Sequence, residues 1–275
     1  MVVVFSLSFF VYSSIVLFHH HLIIATTSTS TNIPSEPTTK RFAIVSLLLT
    51  DAPRQGIYEY KAMRELFLHS LRATGYKDEI LFLVAGKGPP DEDENTKLAK
   101  YNVKMKNVPQ IQHITTVRKD FQGVMTKLQL WALTEYHQIV FYDNDFVFHQ
   151  NPVIALNACG SADFCATHDF TSPPTYFNSG FMVIKTNMTT FHDLMTHRAW
   201  GNNHKFPDQN MLNSYFHGKW KPLPETYNCQ RICNGKFPSA PPINETIAVH
   251  LRGNQKGVLY GLIATQAILA RQSKS

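Results

Sequence analysis

Residues 42–49, FAIVSLLL, and residues 80–85, ILFLVA, are almost unbroken apolar runs of strand length. A strand that is apolar on both faces leaves no face for water, so it needs a sheet covered on both sides. Between the runs, Met63, Phe67 and Leu71 recur every fourth residue with Leu66 alongside, the spacing of an amphipathic helix over 58–74. Gly75 stands where such a helix would end. Two buried strands joined by a helix form a parallel crossover. The pattern then returns. Val124, Leu128 and Trp131 share one helical face over 124–136, and residues 138–142 form a short strand. Residues 181–185 form another, and 207–216 a helix with Pro207 at its start and Met211, Leu212 and Tyr215 inward. This alternation predicts an α/β fold, a mostly parallel Rossmann-like sheet flanked by helices in a single domain. Pro89–Pro90, Pro173–Pro174 and Pro241–Pro242 fall between elements and mark loops within that domain.

At 275 residues and 44% hydrophobic content, the chain has room for one sizeable domain and a short appendage. Its net charge of +6 comes from scattered cations with no Lys/Arg run, which argues against nucleic acid as a partner. The appendage is N-terminal. Met1–Phe18 is nearly all apolar, His19–His21 interrupt it, Leu22–Ala25 resume it, and no charged side chain precedes Glu36. Its length approaches the ~20 apolar residues that span a bilayer. Residues 1–25 are therefore expected to be a signal anchor, in preference to a cleaved signal peptide, and the Ser/Thr-rich residues 26–40 a flexible stem. Two sequons, at Asn187 and Asn244, fit a domain in the secretory lumen. That lumen is Golgi or ER for a single-pass type II membrane protein; cleavage of the segment would make the protein secreted. Four cysteines, Cys159, Cys165, Cys229 and Cys233, suit two disulfides in an oxidising compartment. Local pairing, 159 with 165 and 229 with 233, is one of three connectivities. The spacings do not match a structural zinc site.

The segment richest in chemistry is IVFYDNDFVFHQNP, residues 139–152, where an apolar strand runs into Asp143-Asn144-Asp145. In extended chain, residues two apart face the same side, so the two carboxylates would project together. The C-terminal edge of a parallel sheet is where such folds bind ligands. Paired carboxylates there call for a cation, and hard oxygen donors favour Mn²⁺ or Mg²⁺. An Asp-x-Asp after a strand also occurs in haloacid-dehalogenase-type phosphatases, but those need a later acidic pair, and every acidic residue after Asp145 is isolated.

Several segments together resemble glycosyltransferase family 8, the family of glycogenin and the galactinol synthases, from about residue 41 to 256. KLQLWALTEYHQIVFYDNDFVFHQNP, from Lys127, is similar to the family's Lys-Leu-x-x-Trp helix leading into its DxD strand. FNSGFMVI (177–184), DQNMLN (208–213), LPETYN (223–228) and HLRGNQK (250–256) follow in the family's order. The resemblance implies a GT-A fold over residues 41–262, with 263–275 as a tail. It implies transfer of a hexose or pentose from a UDP-sugar donor, with retained anomeric configuration, to a glycan, lipid, polyol or protein acceptor. It further implies a Mn²⁺ cofactor, with Mg²⁺ the alternative, held by Asp143, Asp145 and His250. Asn144 would meet the donor through its backbone. Lys256 and the Gly253 amide would hold the departing diphosphate, and Arg118, Lys127 and Thr50 would make further donor contacts. Asp208, Gln209, Asn178 and Asp169 would line the sugar and acceptor side. No carboxylate stands out as a nucleophile, which favours departure and attack on one face of the sugar over a double displacement. The chain departs from the family at Phe146 after the DxD, at Gly257-Val258 where Pro-Trp is common, and at Pro53 in place of an aromatic residue. The alternative reading is a catalytically silent lumenal protein that binds nucleotide-sugar or glycan on the same scaffold.

Overall fold

The computed structural model describes residues 41–51, 54–112, 123–202, 204–230, 241–242 and 244–252, with the side chains of 54–59 left aside. The expected anchor, stem and tail lie outside the described residues, as do Pro53, Arg118, Cys233, Gly253, Lys256 and the Gly257-Val258 pair. Among the described residues, no helix is long and apolar enough to cross a membrane.

Both apolar runs are strands with the bounds that their composition sets: β1 is Phe42–Leu49 and β2 is Ile80–Ala85. They are parallel, with Ile44 opposite Ile80 and Leu49 opposite Ala85. The helix between them, α1, spans Arg54–Ala73, and Gly75 follows it at φ 83°, a backbone angle that glycine adopts without steric cost. Helix α2, Glu92–Lys100, carries β2 over to the edge strand β3, Val103–Asn107. Asp91 starts α2 by accepting the Glu94 amide at 3.0 Å.

Strand β4, Gln138–Tyr142, returns to the other side of β1 and pairs with it in parallel. The remaining strands are β5 (Phe146–Phe148), β6 (Phe164–His168), β7 (Phe177–Lys185), β8 (Lys221–Leu223) and β9 (Ala248–His250). The main sheet has seven strands in the order β3-β2-β1-β4-β7-β6-β8, while β5 and β9 pair separately. The chain steps outward from β1 through β2 to β3 and then returns to the other side of β1 as β4, so β1 and β4 flank the switch point at which open α/β sheets bind ligands. Helices α3 (Ile154–Cys159), α4 (Met188–His197) and α5 (Pro207–Tyr215) complete the layers.

Alternation along the strands divides the interior in two. Ile44, Phe82, Val140 and Tyr142 pack with Phe67, Leu68 and Leu71 of α1 on one face. Val45, Leu83, Ile139 and Phe141 pack on the other with Leu128, Trp131, Met211 and Leu212. Each central strand feeds both cores, which is why its sequence shows no polar face.

Three sequence expectations require correction. The 124–136 helix is a 3₁₀ helix confined to Val124–Ala132. Met125 to Leu128, Leu130 and Trp131 are all buried, so packing rather than one apolar stripe sets its winding, and the chain turns at Leu133 to enter β4. Strand β7 begins at Phe177 rather than Phe181, because its polar Asn178-Ser179-Gly180 start conceals four residues of strand. It runs antiparallel to both β4 and β6, so the sheet is parallel in its first half and mixed beyond β4. Asp143-Asn144-Asp145 is not extended chain but a turn between β4 and β5.

Candidate active site

The site lies where β4 ends. Asp143 follows β4 directly, and its amide donates to the Gly180 carbonyl of β7 at 2.9 Å. The turn is anchored from β1. The Ser46 hydroxyl lies 2.7 Å from both the Tyr142 carbonyl and Asn144 Oδ1, and Asn144 Nδ2 donates to the Leu47 carbonyl at 2.8 Å. Asn144 thus spends its side chain on β1, leaving only its backbone for a ligand. Ser46 is the one polar residue in the apolar β1 run, a signal that sequence reasoning passed over.

The turn also starts β5, and β5 brings in the distant candidate ligand His250. Phe146 pairs with His250 across the β5–β9 ladder, and the Leu251 amide donates to the Asp145 carbonyl at 2.8 Å. Asp143, Asp145 and His250 each offer a ligand atom, and these atoms lie within 4.8 Å of one another. The carboxylates therefore converge through a turn and a second small sheet, not through strand alternation. Asp145 and His250 are buried. Phe146, a departure from the family pattern, stacks on the His250 ring with centroids 4.3 Å apart and planes 22° apart.

The donor set fits a divalent cation. Two carboxylates and one imidazole are acceptable ligands for Mn²⁺ and leave coordination positions for phosphate oxygens. Gly180 keeps the space between them clear. A Cβ there would sit 2.7 Å from His250 Cε1 and 3.2 Å from Asp143 Oδ2.

Lys127 enters from the 3₁₀ helix. Its ammonium lies 3.0 Å from Asp143 and 2.8 Å from Asp208. Burial lowers the Lys127 pKa, the two carboxylates more than reverse this, and the net direction is up. Asp143 is pushed upward by burial and by the charges of Asp145 and Asp208, with Lys127 opposing. Too much negative charge gathers here for one lysine to neutralise, which again favours a cation.

Next to this cluster is a buried polar floor. Asp208 and Gln209 open α5, with Pro207 in its first turn. Asp208 accepts the Ser179 hydroxyl at 2.9 Å, and Gln209 Oε1 accepts the Ser179 amide at 3.1 Å. Asn178 Nδ2 donates to Asp169 Oδ2 and Gln209 Oε1, each at 3.1 Å, and Gln209 Nε2 donates to Asp169 at 3.1 Å. Arg252 closes the far side at 3.3 Å from Asp169 Oδ2. Burial raises the Asp169 pKa, but the Thr171 hydroxyl, the Arg252 charge and the Asn178 amide outweigh it and hold the carboxyl at about 2. Asp143, Asn144, Asp145, Lys127, Asn178, Asp208, Gln209, Asp169 and His250 thus share one connected region. Thr50 turns its hydroxyl to the Ala85 carbonyl at 3.3 Å, with no bond to this group. Ser179, Asn228 and Arg252 belong to the region and were not singled out from the sequence, although each lies inside a segment that resembles the family.

The family description "Glycosyl transferase family 8" matches residues 161–257, which include β7, the start of α5 and His250. Glycogenin from Neurospora crassa is 25% identical over 227 residues, covering 80% of this chain and 32% of that protein. These matches support assignment to glycosyltransferase family 8. Galactinol synthase 5 from Arabidopsis thaliana is 24% identical over 160 residues, covering 47% of this chain and 48% of its own length. The chain therefore spans a third to a half of the length of these relatives. A solved structure of the galactosyltransferase LgtC, in complex with donor and acceptor sugar analogs, matches with a TM-score of 0.59 at 15% identity, covering 77% of this chain and 87% of that one. This likeness concerns the fold, which is GT-A.

Proposed function

We propose that the protein is a retaining glycosyltransferase that moves a hexose or pentose from a UDP-sugar donor with Mn²⁺ as cofactor. The observation that carries the reading is the convergence of Asp143, Asp145 and His250 at the C-terminal end of β4, beside a buried Lys127. When bound, the cation would supply charge neutralisation to the donor diphosphate. The remaining work falls to this chain's residues. Lys127 places a second positive charge beside the developing negative charge of the leaving group. Asn178, Gln209 and Asp208 form a rigid floor whose hydrogen bonds orient the sugar hydroxyls. Asp208 is bound by Lys127 and Ser179, a poor state for a nucleophile, which supports departure and attack on one face of the sugar. The acceptor proton then passes to the departing phosphate oxygen. Lys256 and Gly253 extend the diphosphate contacts in this reading, and a glycan, lipid, polyol or protein hydroxyl serves as acceptor.

We place the enzyme in the secretory pathway, in Golgi or ER, with residues 1–25 as a membrane anchor. The Cys159–Cys165 disulfide and the exposed sequon residues Asn187 and Asn244 support that placement.

The test is calorimetry with UDP and Mn²⁺, followed by a donor screen of UDP-glucose, UDP-galactose, UDP-xylose and UDP-glucuronate. The wild type is expected to bind UDP only with Mn²⁺ present and to turn over one donor with retention. Asp145→Asn should lose both while keeping its fold. Full Mn²⁺-dependent turnover in that variant, or a sugar trapped covalently on the enzyme, would overturn the mechanism.

A further inference from the structure

His250 can serve as a ligand through Nε2 only if, in the neutral ring, the proton sits on Nδ1. Nothing in an isolated histidine guarantees this, and the surroundings of His250 do so through a chain of hydrogen bonds whose polarity is fixed at both ends. At one end, the backbone amide of Gly180 can only donate, and it lies 3.0 Å from Asn178 Oδ1. At the other, the Asp169 carboxylate can only accept, and Asn178 Nδ2 lies 3.1 Å from it. Asn178 therefore has one orientation. Its Oδ1 faces Asn228, so the group that Asn228 presents there must be its amide, and Nδ2 donates at 3.1 Å. That leaves Asn228 Oδ1 turned toward His250 Nδ1 at 3.1 Å. Turning Asn228 over would set two carbonyl oxygens against each other and lose the bond to Asn178.

Asn228 is wholly buried, so no water competes for these bonds. Its backbone is also fixed: the Asn228 amide donates to the Glu225 carbonyl at 2.9 Å, and the His250 amide donates to the adjacent Cys229 carbonyl at 2.9 Å. Phe146 holds the plane of the imidazole by stacking, but an aromatic face does not distinguish one ring nitrogen from the other. Asn228 does. On the far edge of the ring, Nε2 lies 3.3 Å from Asp145 Oδ1. With the proton on Nδ1, that edge presents a lone pair toward the carboxylate, an arrangement that a shared cation relieves.

We propose that Asn228 is the positioning residue that keeps the neutral His250 proton on Nδ1 and so makes Nε2 available to a divalent cation. The inference rests on the metal site of the proposed function, but its first readout needs no metal. In full-length protein labelled with ¹⁵N-histidine, at a pH where the ring is neutral and without added cation, His250 should show a protonated Nδ1 and an unprotonated Nε2. Asn228→Leu fills the volume but removes both polar groups. Asn228→Asp also loses the bond to Asn178 but keeps an acceptor for Nδ1–H. The Leu variant should show a mixed or reversed tautomer and a loss in Mn²⁺ affinity of about 10- to 100-fold, the usual effect of removing such a supporting partner. The Asp variant should keep the wild-type tautomer and bind Mn²⁺ at least as well as the wild type.

A wild-type ring with its proton on Nε2 overturns the proposal. So does a Leu variant with unchanged tautomer and affinity, or equal losses in both variants, which would mark Asn228 as merely structural. Should the Leu variant fail to fold, the wild-type spectrum and the Asp variant still decide. A wild type that binds no Mn²⁺ counts against the proposed function, whereas an Nδ1-protonated ring in that same protein still supports the role of Asn228.

Discussion

Gly180 shows how closely the site depends on single atoms. It is an ordinary strand residue in β7, and no unusual backbone angle requires glycine there. Space does. An added Cβ would meet His250 Cε1 at 2.7 Å, Asn178 Oδ1 at 2.9 Å and Asp143 Oδ2 at 3.2 Å. The imidazole is held by stacking and by Asn228, so it has little freedom to retreat. Gly180→Ala should therefore cost about 1–3 kcal/mol in stability, as overpacking usually does, and should weaken Mn²⁺ binding by an order of magnitude or more. Titration of the variant with Mn²⁺, followed by electron paramagnetic resonance, checks this; wild-type affinity would mean that the ring is free to shift. Asp169 makes a different kind of prediction. Its carboxyl is held at about 2, below the ordinary 3.8. A depressed acid stabilises the folded state fully above its unfolded pKa, and that contribution is lost as the pH falls toward the folded value. The contribution should be complete above about pH 4 and mostly gone near pH 2, a difference of about 2 kcal/mol. Urea unfolding of wild type and Asp169→Asn across this range should give curves that converge at low pH. Parallel curves would show that Arg252 and Thr171 do not hold the charge.

Among the elements, the pairing of α1 with α2 offers a test that alters none of the candidate site residues. Arg64 Nε and Nη2 donate to the two oxygens of Glu94 at 2.6 and 2.5 Å, and both side chains are buried. Removing one partner of a buried ion pair strands the other charge and typically costs about 3–5 kcal/mol, whereas replacing both with apolar groups can be neutral. Arg64→Met should lower the unfolding free energy by that amount, and Arg64→Met with Glu94→Leu should recover most of it. Failure to recover would mean that the pair contributes more than the avoided cost of an isolated charge. This contact also marks a limit of reading elements from sequence. β1, β2 and β4 were legible to the residue, because a strand buried on both faces writes itself as an apolar run. Helix α2 was not, since EDENTKLAK places a single large apolar residue, Leu98, in the core. Nor was the β5–β9 pair: three-residue strands carry too little pattern, and their partners lie about a hundred positions apart. The grouping of Asp143, Asp145 and His250 was nonetheless legible, because all three stand in segments that resemble a family. What remained hidden was how they meet, which depends on a turn and on the Phe146–His250 register rather than on any local period.

At the scale of the whole molecule, the site joins two parts of the sheet that differ in kind. The parallel part, β3-β2-β1-β4, supplies the Asp143 turn and the Ser46 anchor. The mixed part beyond β4 supplies Gly180, Asn178, Asp169 and the approach of α5 with Asp208. His250 arrives from outside the main sheet altogether. The β4–β7 pairing joins the two parts, and the Asp143 amide bond to Gly180 extends it into the site. A cation and a nucleotide bound there would tie together groups that the unfolded chain keeps far apart in sequence. Such a ligand stabilises only the folded state, by about 2.7 kcal/mol at a hundredfold excess over its dissociation constant. For a domain of this size, that corresponds to a rise in melting temperature of about 5–10 °C. If the proposed function holds, the rise should appear with Mn²⁺ and UDP together and be smaller with either alone, because the diphosphate would complete the coordination of the cation and the cation would neutralise the diphosphate. It should vanish in Asp145→Asn and persist in Arg64→Met, whose lower starting stability arises from the ion pair with Glu94. Scanning calorimetry of the three proteins separates these cases. An equal shift in Asp145→Asn would show that UDP and Mn²⁺ bind elsewhere, and the convergence of Asp143, Asp145 and His250 would then have to serve some other purpose.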